Sequence, residues 1–309
     1  MSERSERTDS TSERSDQAPD GAPRARILDR GYRPYRGPRT GVRGAMTTVW
    51  RQSVQRALGI RRSAWAKVLP LASVAIAYVP AVVFIGVVAL LPEAETTELQ
   101  LPTFGEYFPF IQAAVLLFVS FVGPEILCTD RRTGMVGIYL ASPLSRDTYV
   151  GAKAAAAFSV IALITIGPPL LMLVAYVLQG VGPDGPGGVA STLVRIVVAG
   201  VLLAVLYTAV GLGVSSLTDR KAFATAALLL LMVVVSGFVT VLIDEADLPG
   251  AFQAASLISG PFTLVELVHG EPADIVGLSL PMALAGLGAW TALGAAVTRT
   301  RYQLLQVTR

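Results

Sequence analysis

The chain is poor in reactive side chains: 309 residues contain one cysteine, Cys128, and one histidine, His269. A single thiol closes no intramolecular disulfide and builds no thiolate zinc cluster, and a single imidazole builds no multi-histidine metal centre. Charge is also scarce. Asp, Glu, Lys and Arg make up 15% of the residues, against roughly 25% in soluble domains, which argues against a soluble globular enzyme. What fills the chain is apolar, with 53% hydrophobic residues and a mean hydropathy of +0.59. The net charge of +3 and a pI near 9.1 would admit nucleic acid as a partner if the charges were spread evenly. They are not.

Six stretches are apolar and long enough, at roughly 20 residues, to cross the hydrocarbon core of a bilayer as helices. They run over 68–91, 108–127, 154–178, 196–217, 222–243 and 275–297, and none contains Lys or Arg; Lys153 and Arg195 lie just outside their edges. Glu125 lies near the end of the second span, where it is expected to reach the interface and solvent, since a carboxylate deeper inside is costly. Of the 25 basic residues, 15 precede the first span; the rest, Arg195 apart, fall between spans two and three, between four and five, and in the tail. The positive-inside rule places both termini in the cytoplasm. Acids dominate the opposite loops, from Glu93 to Glu106 and from Asp244 to Asp274.

Residues 1–44 are rich in Ser, Arg, Asp, Pro and Gly and are expected to be a disordered cytoplasmic tail. No apolar signal-peptide core is present there. The basic stretch 24–43, with Tyr32 and Tyr35, has the composition of a nucleic-acid arm, but attraction to anionic lipid headgroups is the plainer reading. The partners expected on this ground are the bilayer and no nucleic acid. Met46 opens the next helix and is a possible alternative start, which an intact-mass measurement would decide. Over 45–67, Met46, Val49, Trp50, Val54, Ala57 and Leu58 recur at helical spacing opposite Arg51, Gln52, Gln55 and Arg56. This predicts an amphipathic elbow helix on the inner leaflet. The moderately apolar run 248–268 is read as two short helices dipping into or lying on the outer leaflet, separated at Gly260-Pro261, rather than as a seventh span.

The loop between spans two and three is the most informative stretch. A charged turn, Asp130-Arg131-Arg132, leads through Gly134 to a short apolar segment, 135–140, which Pro143 ends; Ser145 then caps a helix that runs through Tyr149 and Lys153 into span three. Such a loop places a short, partly apolar helix between charges below the membrane, a docking surface for another protein.

Here the chain resembles the membrane subunits of ABC-2 type transporters, the permeases of ATP-binding-cassette exporters. The resemblance rests on Glu125 at the end of span two, Asp130-Arg131 with Arg132, Gly134, the apolar Ile138-Tyr139-Leu140, Pro143 to Arg146, Tyr149, and Gly151 with Lys153. The overall plan, elbow helix, six spans and an outer helix pair between five and six, matches over 46–309, although Thr129 to Arg132 is less acidic than in many members. The resemblance implies an all-α, polytopic fold in the plasma membrane, with 68–309 as the transmembrane domain. It implies that the loop helix couples to a cytoplasmic ATPase through Glu125, Asp130, Arg131, Arg132, Gly134, Ile138, Tyr139, Leu140, Pro143, Arg146 and Lys153. ATP and Mg would be bound by that separate subunit, leaving this chain without a cofactor, and a second permease copy or paralogue would complete the path.

The residues themselves agree with an outside energy source. No Gly-x-x-x-x-Gly-Lys-Ser/Thr is present, and the Gly-rich stretch 180–188 lacks its lysine and is expected to be a flexible outer turn. The spans offer no His or Asp for an intramembrane protease and few ionisable groups for ion-coupled transport. A non-transporting anchor that recruits a cytosolic partner through the same loop is the alternative. Pro168-Pro169 should bend span three. The small residues Gly211, Gly213, Ser215 and Ser216, and Ala285, Gly286, Gly288 and Gly294, are expected to serve helix packing. Gln112 and Tyr107 are weaker candidates for a polar cavity, Arg195 is expected to snorkel, Cys128 to pack, and His269 to be an exposed polar residue.

Overall fold

A backbone stretch with twenty apolar side chains finds its hydrogen bonds within itself, and the chain resolves into helices accordingly. The computed structural model describes residues 37, 40–60, 64–90, 102–272 and 277–305; most of the expected tail lies outside them. The α-helices are α1 (Gly41–Ala57), α2 (Ala64–Leu90), α3 (Tyr107–Arg132), α4 (Met135–Leu140), α5 (Arg146–Thr165), α6 (Gly167–Leu178), α7 (Gly185–Ser215), α8 (Lys221–Glu245), α9 (Ser259–His269) and α10 (Leu280–Leu304), with a 3-10 turn over Gly250–Ala255. No strand occurs among the described residues. Six of these, α2, α3, α5, α7, α8 and α10, are long and apolar enough to cross a membrane, which makes this an all-α, multi-pass membrane protein.

Burial grades the bundle. In α3 67% of the apolar window is buried, in α2 and α10 only 17%, so α3 is the axis and α2, α8 and α10 form a rim. The rim turns Leu71, Val82, Leu230, Phe238, Met282 and Leu293 outward, an apolar surface suited to lipid. Helices α7 and α10 cross so closely that a Cβ on Gly213 would meet the Gly294 Cα at 3.0 Å, and one on Gly294 would meet the Ala209 carbonyl oxygen at 2.4 Å. The packing expected of these glycines is therefore present, as it is at Gly286 against Ala254; Gly288 faces open space. Gly123 of α3 makes a further close approach, to Gly211.

The third span breaks rather than bends smoothly. Pro168 and Pro169 lack the donors that would continue α5, so the helix ends at Thr165 and restarts at Gly167. The Leu163 carbonyl accepts from the Tyr78 hydroxyl at 3.0 Å, and Thr165 Oγ1 donates to the Gly200 carbonyl at 2.9 Å. The break is thus stitched to α2 and α7. Pro70 and Pro80 lie inside α2, which continues through both.

Four boundaries differ from expectation. Residues 41–44 are helical, because α1 begins one turn earlier, with the Gly44 N–H bonded to the Thr40 carbonyl. Gly185 to Gly188 are the first turn of α7 rather than part of a flexible turn; Pro186 fits there because first-turn N–H groups have no helical acceptor. In the outer segment the two short helices separate at Ser256 to Ile258, and Gly260-Pro261 opens α9 instead of breaking it, for the same reason. The last span starts at Leu280, again with a proline in its first turn, and continues past 297 through Thr298 to Leu304.

Candidate functional site

One end of the bundle gathers the basic residues. Its centre is the carboxylate of Asp130, fully buried near the end of α3. Lys153 Nζ of α5 lies 2.5 Å from Oδ2, the Tyr149 hydroxyl donates to Oδ2 at 3.0 Å, and the Arg56 guanidinium of α1 pairs with Oδ1. The lysine, itself 1% exposed, also donates to Ser53 Oγ at 2.8 Å, and Ser53 donates to the Val49 carbonyl at 2.7 Å. Lys153 further lies 5.5 Å and 5.7 Å from the ring centroids of Tyr149 and Tyr139, within cation–π range. Three helices, α1, α3 and α5, thus close on a single acid.

Local sequence explains how they get there. Tyr149 and Lys153 are four residues apart and share one face of α5. Ser145 caps that helix as expected, accepting from the Thr148 N–H while Thr148 Oγ1 accepts from the Ser145 N–H. On α1 the buried stripe is Val49, Ser53 and Ala57, whereas Trp50, expected on the apolar face, stays partly exposed and donates its indole N–H to Ser159 Oγ at 3.1 Å. Desolvation pushes the pKa of the Arg56 guanidinium down, but the neighbouring Asp130 outweighs it and the pKa rises. Removing so many charges from water costs several kcal/mol per ion, and only close, hydrogen-bonded geometry offsets it.

The expected site residues divide into two sets. Asp130, Lys153, Arg131 and Arg146 turn inward or sideways and bond within the chain. Arg131 Nη1 donates to the Ser216 and Thr218 carbonyls at 2.5 Å and 3.2 Å, satisfying the C-terminal end of α7. Arg146 binds the Gln303 carbonyl of α10. Glu125, expected to be solvent-adjacent, is instead buried and paired with Lys221 of α8; α3 runs beyond it to Arg132, so the carboxylate ends up between helices rather than at the surface. The second set faces outward. Gly134, at φ +70°, reverses the chain after α3 with open space where a side chain would be. The six-residue α4 that follows seats Val136 in the core, stacks Tyr139 on Tyr149 at 5.7 Å, and leaves Ile138 64% exposed. Leu140 is half-buried, Pro143 exposed, and Arg132 exposed beside Arg220. Burial, and then the nearby Asp130, push the Tyr139 phenol pKa up.

Sequence reasoning missed Arg56, Ser53 and Lys221 as the partners of Asp130, Lys153 and Glu125. The available signal was a serine inside the apolar stripe of α1; nothing local marks Lys221, which lies 96 residues from Glu125.

The opposite end is built differently. His269, expected to be exposed, is 6% exposed; its Nδ1 is 2.9 Å from the Val265 carbonyl oxygen and its ring packs near Phe108. Burial lowers its pKa. Arg195 donates to the His269 carbonyl at 2.5 Å, and Glu271 accepts from the Gly105 N–H at 3.1 Å. Tyr107 is fully buried with its hydroxyl on the Ala77 carbonyl at 2.6 Å, so it lines no cavity. Cys128 packs as expected, its thiol near the Ser215 and Thr218 carbonyls. No three metal-ligating side chains gather among the described residues. A scan against protein-family models and a search of curated proteins both found no match for this chain.

Proposed function

We propose that the chain is the permease subunit of an ABC-2 type exporter, with its basic end and both termini in the cytoplasm, driven by ATP hydrolysed on a separate nucleotide-binding subunit. The observation that carries this reading is the exposed Ile138 on α4, a helix too short to stand alone yet held rigidly by Tyr139 on Tyr149. Tyr149 in turn binds Asp130, which is bonded to α1 and α5. A push on α4 therefore reaches the spans through packed and hydrogen-bonded groups. In this reading Ile138, Leu140, Pro143 and Arg132 meet the ATPase, and Asp130, Lys153 and Arg131 transmit the load. The membrane is the plasma membrane, and a second copy or paralogue completes the translocation path along the apolar rim.

The segment 250–269 is proposed to be re-entrant from the outer face. Its turn meets α7 where the Tyr207 hydroxyl donates to the Leu257 carbonyl, α8 where Ser236 Oγ accepts from the Leu257 and Ile258 N–H groups, and α10 where the Trp290 indole donates to the Ala255 carbonyl. Each contact lies well inside its helix. The substrate is proposed to be hydrophobic or amphipathic, since the spans offer little polar lining.

The test is co-purification of the full chain with a candidate nucleotide-binding subunit. Ile138→Glu should cut capture more than tenfold while the variant still inserts and runs as a single species. Unchanged capture and ATPase activity would refute the docking assignment. Substrate-stimulated ATP hydrolysis by the complex separates a permease from a membrane anchor.

A further inference from the structure

At the basic end a groove of about 890 Å³ runs between α3 and α8, and its lining changes character along its length. The mouth carries Arg132, Asp219, Arg220 and Lys221; the wall deeper in carries Phe121, Ala226 and Leu229. At 1.5 Å per residue, Phe121 lies roughly 16 Å along α3 from Arg132, and Leu229 roughly 12 Å along α8 from Lys221. The groove is thus polar at the helix ends and mainly apolar for two to three turns into the span, interrupted by the hydroxyl of Thr225 one turn into α8.

Its charge is defined as well. Lys221 is paired with Glu125, whereas Arg132 and Arg220 form no ion pair among the described residues. Against the one carboxylate of Asp219, the two arginines leave the mouth with a single net positive charge. The first turn of α8 also opens there without a side-chain cap, so its N–H groups and positive helix end favour an anion.

We infer that this groove holds one anionic phospholipid, its phosphodiester between Arg132 and Arg220 at the N-terminus of α8 and one of its two acyl chains along Phe121, Ala226 and Leu229. A soluble phosphate would satisfy the mouth but leave the apolar wall unused; a lipid standing along the bundle matches both halves. Asp219 accepts hydrogen bonds from hydroxyls of the headgroup, which favours a hydroxylated headgroup of single charge such as phosphatidylglycerol. The inference requires only that the six helices lie in a bilayer and is independent of any ATPase.

The test is native mass spectrometry of the full-length protein in detergent with added phosphatidylglycerol or phosphatidylcholine of identical acyl chains. Phosphatidylglycerol should be retained at least tenfold better, and Arg220→Gln should cut its retention about tenfold, the loss of one charge-assisted contact. Ala226→Trp, which fills the apolar wall and keeps every charge, should also displace the lipid; Leu229→Gln serves if that variant does not run as a single species. Equal retention of the two lipids, or retention unchanged in Arg220→Gln, overturns the inference. So does glycerol phosphate binding as tightly as the lipid with no effect of Ala226→Trp, the result expected of a soluble-phosphate site.

Discussion

At the basic end, Asp130 is held by Lys153, Arg56 and Tyr149 from two other helices, and Glu125 is paired with Lys221. At the acidic end, Arg195 bonds to the His269 carbonyl and Glu271 to a backbone N–H, so these two charged side chains meet main-chain groups. The first arrangement locks several helices to one carboxylate and makes each partner costly to lose. The second spreads modest bonds over backbone atoms. The difference bears on how charge is counted in membrane sequences: Lys153 weighs equally with any surface lysine in assigning sidedness, yet it is 1% exposed and its work is structural.

The strongest way to break this comparison is Lys153→Met. It leaves Asp130 buried with one cation fewer and should cost about 3–5 kcal/mol in thermal or denaturant unfolding in detergent, while Lys153→Met with Asp130→Asn recovers part of the loss. Arg195→Met should cost about 1 kcal/mol; equal losses at both ends would erase the distinction. A smaller effect concerns His269. Its folded pKa lies below the ordinary 6.5 because burial disfavours the cation, so the unfolded chain binds the proton first as pH falls. Stability should drop as pH decreases from 6.5 to the folded value and be insensitive to this group well above 6.5. His269→Gln should flatten that part of the melting-temperature profile between pH 8 and 5. Ser145→Ala removes the cap of α5 and should cost about 1 kcal/mol, with Ser145→Asp restoring most of it. The least effect belongs to Arg299, whose contact with Asp147 at 3.7 Å is exposed on both sides. Arg299→Ala should change stability by about 0.5 kcal/mol or less, and more would show that exposed pairs at this end also bear load.

Six apolar runs and the start of α5 at Ser145 were legible because a hydropathy window and a capping residue are local signals. A disturbance at Pro168-Pro169 was legible for the same reason, since a missing donor acts on its own helix, although the bend expected there is a full break. Glu125 and His269 were misplaced because burial depends on which distant helix arrives. The partner of Glu125 is 96 residues away, and the contact between Arg195 and His269 spans 74. Gly185 to Gly188 and Gly260-Pro261 misled in another way. Glycine and proline oppose the interior of a helix but are tolerated in its first turn, and composition does not tell the two positions apart. Among the residues of the loop over 130–153, pattern located the short helix but not the split between side chains that bond within the chain and Ile138, which stays exposed.

Ser53 and Lys153 are separated by 100 residues, and this distance has a meaning in time. At a synthesis rate of about 5–20 residues per second, α1 leaves the ribosome some 5–20 s before the lysine it must meet. For most of that interval Arg56 is the only charge of the cluster that exists, because Asp130 lies 74 residues beyond it. Helix α1 therefore completes its contacts with α5 only after the two apolar helices between them, α2 and α3, have been made.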